Sequence, residues 1–384
     1  MSSTTSTDTD RQAGSEATAR EIIQQPDVWR EAADLVEAQR ESIDSFLAPL
    51  LNRPDLRIIL TGAGTSAFAG NVAAPSLAHQ LHRRVDAVAT TDIVSNPYEC
   101  FAEDVPTLLV SFARSGNSPE STAATKLADE VLTDVHHLIL TCDKKGDLFR
   151  DHQGRDNSLV LLMPERANDQ GFAMTSSFTS MLLSCLLIFG GPNNEAINAL
   201  AAAVARLLAQ REPLEKLALN GYDRVVYLGS GPLAGLAQEC ALKLLELTAG
   251  KVVAYHDSSL GFRHGPKAVL TDKTLIIVLV SSDPYTRRYD LDILHELHAG
   301  IAADNTVAVS TVPLSGAGHL WLLPELAGLD DAFLAPAYVV TAQLLALSAS
   351  LQLGLTPDNP FPSGDVNRVV QGVQIHPLEP APAH

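Results

Sequence analysis

The sequence predicts an α/β protein with two tandem, doubly wound parallel sheets behind an N-terminal helical extension. Three observations carry this. Short runs of consecutive apolar residues alternate with helix-like segments, a strand, glycine turn and helix opening occurs twice, and 384 residues suit two domains of common size. Strands buried on both faces are apolar on consecutive residues, as these runs are.

Met1 to Asp10 hold Ser, Thr and Asp after the first Met, so residues 1–20 are expected to be a disordered tail rather than a leader. From Asp27 to Leu51 apolar residues recur at helical spacing (Val28, Leu35, Val36, Ile43, Phe46, Leu47, Leu50), which places a helical extension over residues 21–51. The run Leu56 to Leu60 then ends in Thr61-Gly62-Ala63-Gly64-Thr65-Ser66 before an Ala-rich helical stretch. Further runs at Val85 to Ala89, Thr107 to Phe112, His137 to Thr141 and Ser158 to Met163 complete a first domain over residues 52–200.

The same opening returns at Arg224 to Leu228 and Gly229-Ser230-Gly231-Pro232-Leu233. Gly229 follows Gly62 by 167 positions (229 minus 62). An internal duplication of one α/β unit explains this, with Gly191 to Gly221 as the join. The second domain, residues 215–365, continues through Leu275 to Val280, Thr306 to Ser310 and a helix near Pro336 to Leu353. Residues 366–384 read as a C-terminal tail.

The formal charge of -18 disfavours nucleic acid and anionic membrane as partners, because each would meet a surface of its own sign. The apolar runs Met181 to Phe189 and Thr274 to Val280 fall short of the roughly 20 residues of a membrane-spanning helix. A cytoplasmic location is the expectation. Cys100, Cys142, Cys185 and Cys240 lie far apart, so no metal site and no cofactor is expected.

Gly62-x-Gly64 at a strand-to-helix turn lets the backbone approach an anion, and the helix start offers free N–H groups. By itself it equally marks a tight turn. Thr65 and Ser66 add hydroxyls, and a second turn after the Thr107 to Phe112 strand reads Arg114-Ser115-Gly116-Asn117-Ser118. The carboxyl ends of strands in a doubly wound sheet flank one crevice, so Ser66, Ser115 and Ser118 could meet on one phosphate with Arg114 as charged partner. Ser118 alternatively caps the helix that begins at Pro119. Gly62-x-Gly64-x-x-Ala67 also approaches a dinucleotide fingerprint, but the hydroxyl-rich second turn does not belong to that pattern.

These motifs, with Phe262-Arg263-His264-Gly265-Pro266, resemble sugar isomerase (SIS) domains, and the two-copy arrangement is similar to the isomerase half of glucosamine-6-phosphate synthase. Ala173-Met174-Thr175-Ser176-Ser177-Phe178 and Asn367-Arg368-Val369-Val370-Gln371-Gly372 resemble the tagatose-6-phosphate ketose/aldose isomerase and galactosamine-6-phosphate deaminase family. The resemblance runs from about Asp27 to Ile375. It implies two flavodoxin-like layered domains, and a phosphate site built from Gly64, Thr65, Ser66, Arg114, Ser115, Asn117 and Ser118. It also implies Glu246 as the proton-shuttling carboxylate, and His264 as a ring-opening histidine reaching the site from the neighbouring subunit of a homodimer. The implied partner is a phosphorylated amino sugar.

Two departures stand out. Ala113-Arg114 replaces the synthase's Ser-Gln pair, and the synthase's imine-forming C-terminal lysine aligns with Gln371. Spacing alone makes Glu246 a helical ion-pair partner of Lys243, and makes His264 a surface histidine; the resemblance reverses both. No lysine, Lys243 included, is assigned a role. No glutaminase segment fits before the extension, so the expected net reaction is deamination and isomerisation of galactosamine 6-phosphate to tagatose 6-phosphate. Glucosamine 6-phosphate deamination, plain isomerisation and a non-catalytic sugar-phosphate sensor are the alternatives.

Overall fold

The computed structural model describes residues 14–300 and 303–379. Three helices open it: α1 (Glu16–Ile23), α2 (Gln25–Ala38) and α3 (Arg40–Leu51). The first repeat follows as β1 (Arg57–Thr61), α4 (Thr65–Leu81), β2 (Val85–Ala87), α5 (Thr90–Ser95), α6 (Pro97–Cys100), β3 (Thr107–Ala113), α7 (Pro119–Val131), β4 (Val135–Thr141), α8 (Asp147–His152) and β5 (Ser158–Leu162). Helices α9 (Ser176–Gly190), α10 (Asn194–Ala209) and α11 (Glu212–Ala218) join it to the second. That repeat runs β6 (Arg224–Gly229), α12 (Pro232–Leu247), β7 (Val253–Ser258), β8 (Thr274–Leu279), α13 (Thr286–Gly300), β9 (Thr306–Ser310), β10 (His319–Leu322) and α14 (Asp331–Gln352).

Both sheets are parallel throughout and share one strand order, β2-β1-β3-β4-β5 and β7-β6-β8-β9-β10. This is the flavodoxin-like order, whose switch point falls between β1 and β3 and again between β6 and β8. The duplication extends to the backbone of the turns. Gly64 and Gly231, just before α4 and α12, have φ, ψ of 55°, -127° and 56°, -128°, values open only to glycine without strain. A Cβ on Gly62 would fall 2.6 Å from the Ser66 carbonyl carbon, and one on Gly229 2.4 Å from the Leu233 carbonyl oxygen.

β1, β3, β8 and β9 are buried along their whole length, which is why they stand out as unbroken apolar runs. β7 and β10 are half-buried edge strands and do not, because β7 ends in polar residues and β10 is only four residues long. The polar stretch His256 to Ser258 forms the second half of β7. One continuous core spans both repeats, with α9 and α14 inside it. Among the described residues α14 is the one helix long and apolar enough to cross a bilayer, and it is buried against its neighbours almost throughout.

The helical extension starts earlier than expected. Residues 1–13 lie outside the described residues, but 16–20 of the expected tail are helix. The Asp358 carboxylate, from beyond α14, accepts from the N–H groups of Ala17 and Thr18 and from the Thr18 hydroxyl at 2.7–3.0 Å, so the chain's far end fixes the first turn of α1.

The two repeats meet where α4 and α12 cross. A Cβ on Gly235 would lie 2.8 Å from the Asn71 backbone, and Asn71 Nδ2 donates to Gln238 Oε1 at 2.6 Å. Asn71 and Gln238 are 167 residues apart, the same offset as the glycine turns, so this contact sits on the local pseudo-twofold axis. The crossing carries the second half of α12 over the start of α4, into the first crevice.

Candidate active site

A cavity of about 250 Å³ opens at the switch point of the first sheet. Gly64, Thr65 and Ser66 from the turn after β1, Arg114, Ser115 and Ser118 from the turn after β3, and Glu246 from α12 all line it. At that volume it suits one compact ligand better than a dinucleotide. Ser118 stands at the start of α7, yet its hydroxyl makes no capping bond and remains available to a ligand. Ser121, one helical turn further on, adds a buried hydroxyl to the same wall.

Two expected residues lie elsewhere. Asn117 is behind the turn: its Oδ1 accepts from Asp147 N at 3.0 Å, and its own N–H donates to Ser115 Oγ at 3.3 Å, so it shapes the loop. His264 is exposed on the segment between β7 and β8, after a short 3-10 turn at Gly261–Arg263, and does not line the cavity of its own chain.

Arg114 differs from a simple phosphate partner. It is only 7% exposed, and it donates to the carbonyl oxygens of Phe172 (3.1 Å) and Arg368 (3.0 Å). Burial, reinforced by the nearby charge of Arg368, pushes its pKa down to about 10. Its guanidinium ties two walls of the cavity together.

Glu246 is half-buried, and its Oε2 accepts from Lys243 Nζ at 2.6 Å. Lys243 is fully buried and also donates to Thr65 Oγ1 at 2.9 Å, so it links α12 to the first glycine turn. Burial opposes its charge, but the carboxyls of Glu239 and Glu246 together outweigh that and hold its pKa above the ordinary value. Glu239 is fully buried with Oε1 3.4 Å from Lys243 Nζ, and neither of its oxygens makes a hydrogen bond of standard geometry. Burial pushes its pKa up to about 8. At neutral pH, then, Glu239 holds a proton, and the near partner of Lys243 is Glu246.

The titration of Glu239 has a measurable consequence. Its folded pKa of about 8 lies above the ordinary 4.5, so between those values the folded state keeps a proton that the unfolded chain has released. Glu239 therefore subtracts stability as pH rises through this window, at up to ~1.4 kcal/mol per pH unit. For Glu239→Gln the unfolding free energy relative to wild type should climb from about pH 5 to pH 8 and then level off, as measured by urea titration. A difference that is flat across this range would mean Glu239 is ionised in the fold.

Matches to the SIS domain model cover residues 50–190 and 218–352, one for each repeat. The chain belongs to the SIS domain family. A Streptomyces coelicolor member is 56% identical over 94% of this chain and 95% of its own. An Escherichia coli protein named D-galactosamine-6-phosphate deaminase AgaS is 46% identical over 94% of this chain and 96% of its own. The crystal structure of tagatose-6-phosphate ketose/aldose isomerase from Escherichia coli matches with a TM-score of 0.87 at 41% identity, covering 94% of this chain and 97% of that one.

Within this SIS frame the Thr175-Ser176-Ser177 motif acts on structure. The buried Asp169 carboxylate accepts from the N–H groups of all three residues and from the Thr175 and Ser177 hydroxyls at 2.5–3.0 Å, capping the apolar α9. That fixes the preceding loop, whose Phe172 and Met174 line the cavity. Glu21 of α1 braces the same loop by accepting from Gln170 and Gly171 N–H, and burial together with the charge of Asp169 pushes its pKa up to about 7. The supposed C-terminal tail also contributes, with Val366, Asn367, Arg368 and Val370 in the cavity wall.

Proposed function

We propose that the chain is an amino-sugar-phosphate deaminase and isomerase, converting D-galactosamine 6-phosphate to tagatose 6-phosphate and ammonia. The observation that carries this is Glu246, a carboxylate paired with a buried lysine in the same small cavity as two hydroxyl-bearing anion turns. The phosphate sits against Ser66, Ser115 and Ser118, and the sugar carbons extend toward Glu246. After ring opening, Glu246 takes the C2 proton, and the electron pair moves toward the C1 carbonyl oxygen, which gains a proton. Returning the proton to C1 leaves an imine at C2; water adds there and ammonia leaves. Lys243 holds the Glu246 carboxyl in place through its 2.6 Å bond and supplies a fixed positive charge beside the developing enolate.

The names of the relatives favour the galacto sugar. His264 fits as the ring-opening acid and base only if it comes from a second copy of the chain, so a homodimer with shared sites, in the cytoplasm, completes the proposal. Purified protein given galactosamine 6-phosphate should release ammonia and a ketose phosphate in equal amounts, and unphosphorylated galactosamine should give neither. Failure to produce both from the phosphorylated sugar overturns the assignment.

A further inference from the structure

Beyond its final helix the chain returns to the first repeat and is pinned there at both ends. Asp358 caps α1, and the Phe361 ring packs on Phe172 at a centroid distance of 5.1 Å. At the other end the Glu379 carbonyl accepts from Tyr98 Oη at 2.9 Å. The middle of this strap touches the fold at the cavity, where the Arg368 carbonyl takes the bond from Arg114.

Among the described residues three charged side chains line the cavity: Arg114, Glu246 and Arg368. Glu246 has its cation in Lys243. Arg114 is buried in the wall with donors committed to two backbone carbonyls. Arg368 is exposed, and among the described residues its side chain makes no hydrogen bond and no ion pair. In a chain of net charge -18, a phosphate dianion is repelled at long range, so a local uncompensated cation decides whether it stays. Arg114 immediately precedes Ser115, and by gripping the Arg368 carbonyl it fixes the strap next to the hydroxyl turn.

We infer that Arg368, carried by the C-terminal strap, is the ion-pairing ligand of the substrate's phosphate group, with Arg114 as the residue that positions it. This rests on the cavity being the sugar-phosphate site. The guanidinium suits the role through its planar fork of donors. The lowered pKa of Arg114 agrees with a second guanidinium nearby, a repulsion that a bound dianion relieves.

The test uses the full chain and inorganic phosphate as probe, with affinity measured by calorimetry. Arg368→Ala should weaken phosphate and galactosamine 6-phosphate binding roughly tenfold or more, and Arg368→Lys should recover part of the loss. Thermal unfolding should stay at the wild-type temperature, since the side chain is exposed. Phosphate should also protect the wild-type Arg368–Val369 bond from trypsin. If Arg368→Ala binds phosphate as wild type while Ser118→Ala binds it more weakly, the inference fails and the site stands. If the alanine variant loses only the sugar phosphate and not inorganic phosphate, Arg368 serves the sugar and the inference also fails. If neither variant weakens phosphate binding, the site assignment itself is overturned.

Discussion

Glu246→Gln is expected to lower turnover of galactosamine 6-phosphate by about 10²–10⁴-fold and to abolish solvent deuterium exchange at C2, while inorganic phosphate binds as before. Glutamine keeps the size of the side chain and an acceptor for Lys243, but it cannot take a proton from carbon. The fold tolerates the lost charge because a second carboxyl is at hand. Glu239 lies 3.4 Å from Lys243 and holds its proton only up to about pH 8. With Glu246 neutralised, one of the charges that raise the Glu239 pKa is gone while Lys243 still lowers it, so Glu239 ionises at lower pH and offers Lys243 a replacement partner. A variant that exchanges C2 at the wild-type rate would remove Glu246 from the chemistry.

The same variant tests the shared site. Mixed under subunit exchange with His264→Ala, it should regain about a quarter of wild-type activity, because half the random dimers are mixed and each holds one intact site. No recovery would place His264 outside the partner's cavity.

What the sequence disclosed follows from where side chains sit. β1, β3, β6 and β8 are buried on both faces and flank the switch points, so apolar runs ending in Gly-x-Gly or hydroxyl turns marked the strands and the crevice together. β7 and β10 escaped because the second half of β7 is polar, His256-Asp257-Ser258, and β10 is only four residues long, so neither leaves an apolar run, whereas the edge strand β5 does. Lys243 escaped for another reason. Its spacing to Glu246 is that of any helical ion pair, and nothing local shows that it also bonds Thr65, 178 residues away. Only the crossing of α4 and α12, set by a glycine with no Cβ to clash, makes that contact. The strap is harder still, since an exposed polar segment after the last helix has the composition of a tail whether or not it crosses a cavity.

Asp169→Ala is expected to lose about 3–5 kcal/mol of unfolding free energy, the largest stability effect predicted for this chain. The carboxylate is fully buried and serves five donors, three of them N–H groups at the start of α9. Removing an ordinary exposed cap costs ~0.5–2 kcal/mol, because water takes its place. Here no water follows, and each stranded donor bears its own desolvation cost. α9 is buried over nearly its whole length, so it cannot fray outward to find other partners. Phosphate affinity should fall with stability, since the loop that Asp169 anchors presents the Phe172 carbonyl to Arg114. Asp169→Asn should lose less. It keeps one acceptor, and it removes the charge that, after burial, helps to push Glu21 up to about 7. Glu21 then ionises at lower pH in the fold, so above pH 7 its two backbone bonds to Gln170 and Gly171 become charge-assisted at smaller cost. The asparagine variant should therefore lie closest to wild type at alkaline pH in denaturant titrations, and a loss that does not change with pH would show that Glu21 and Asp169 are uncoupled.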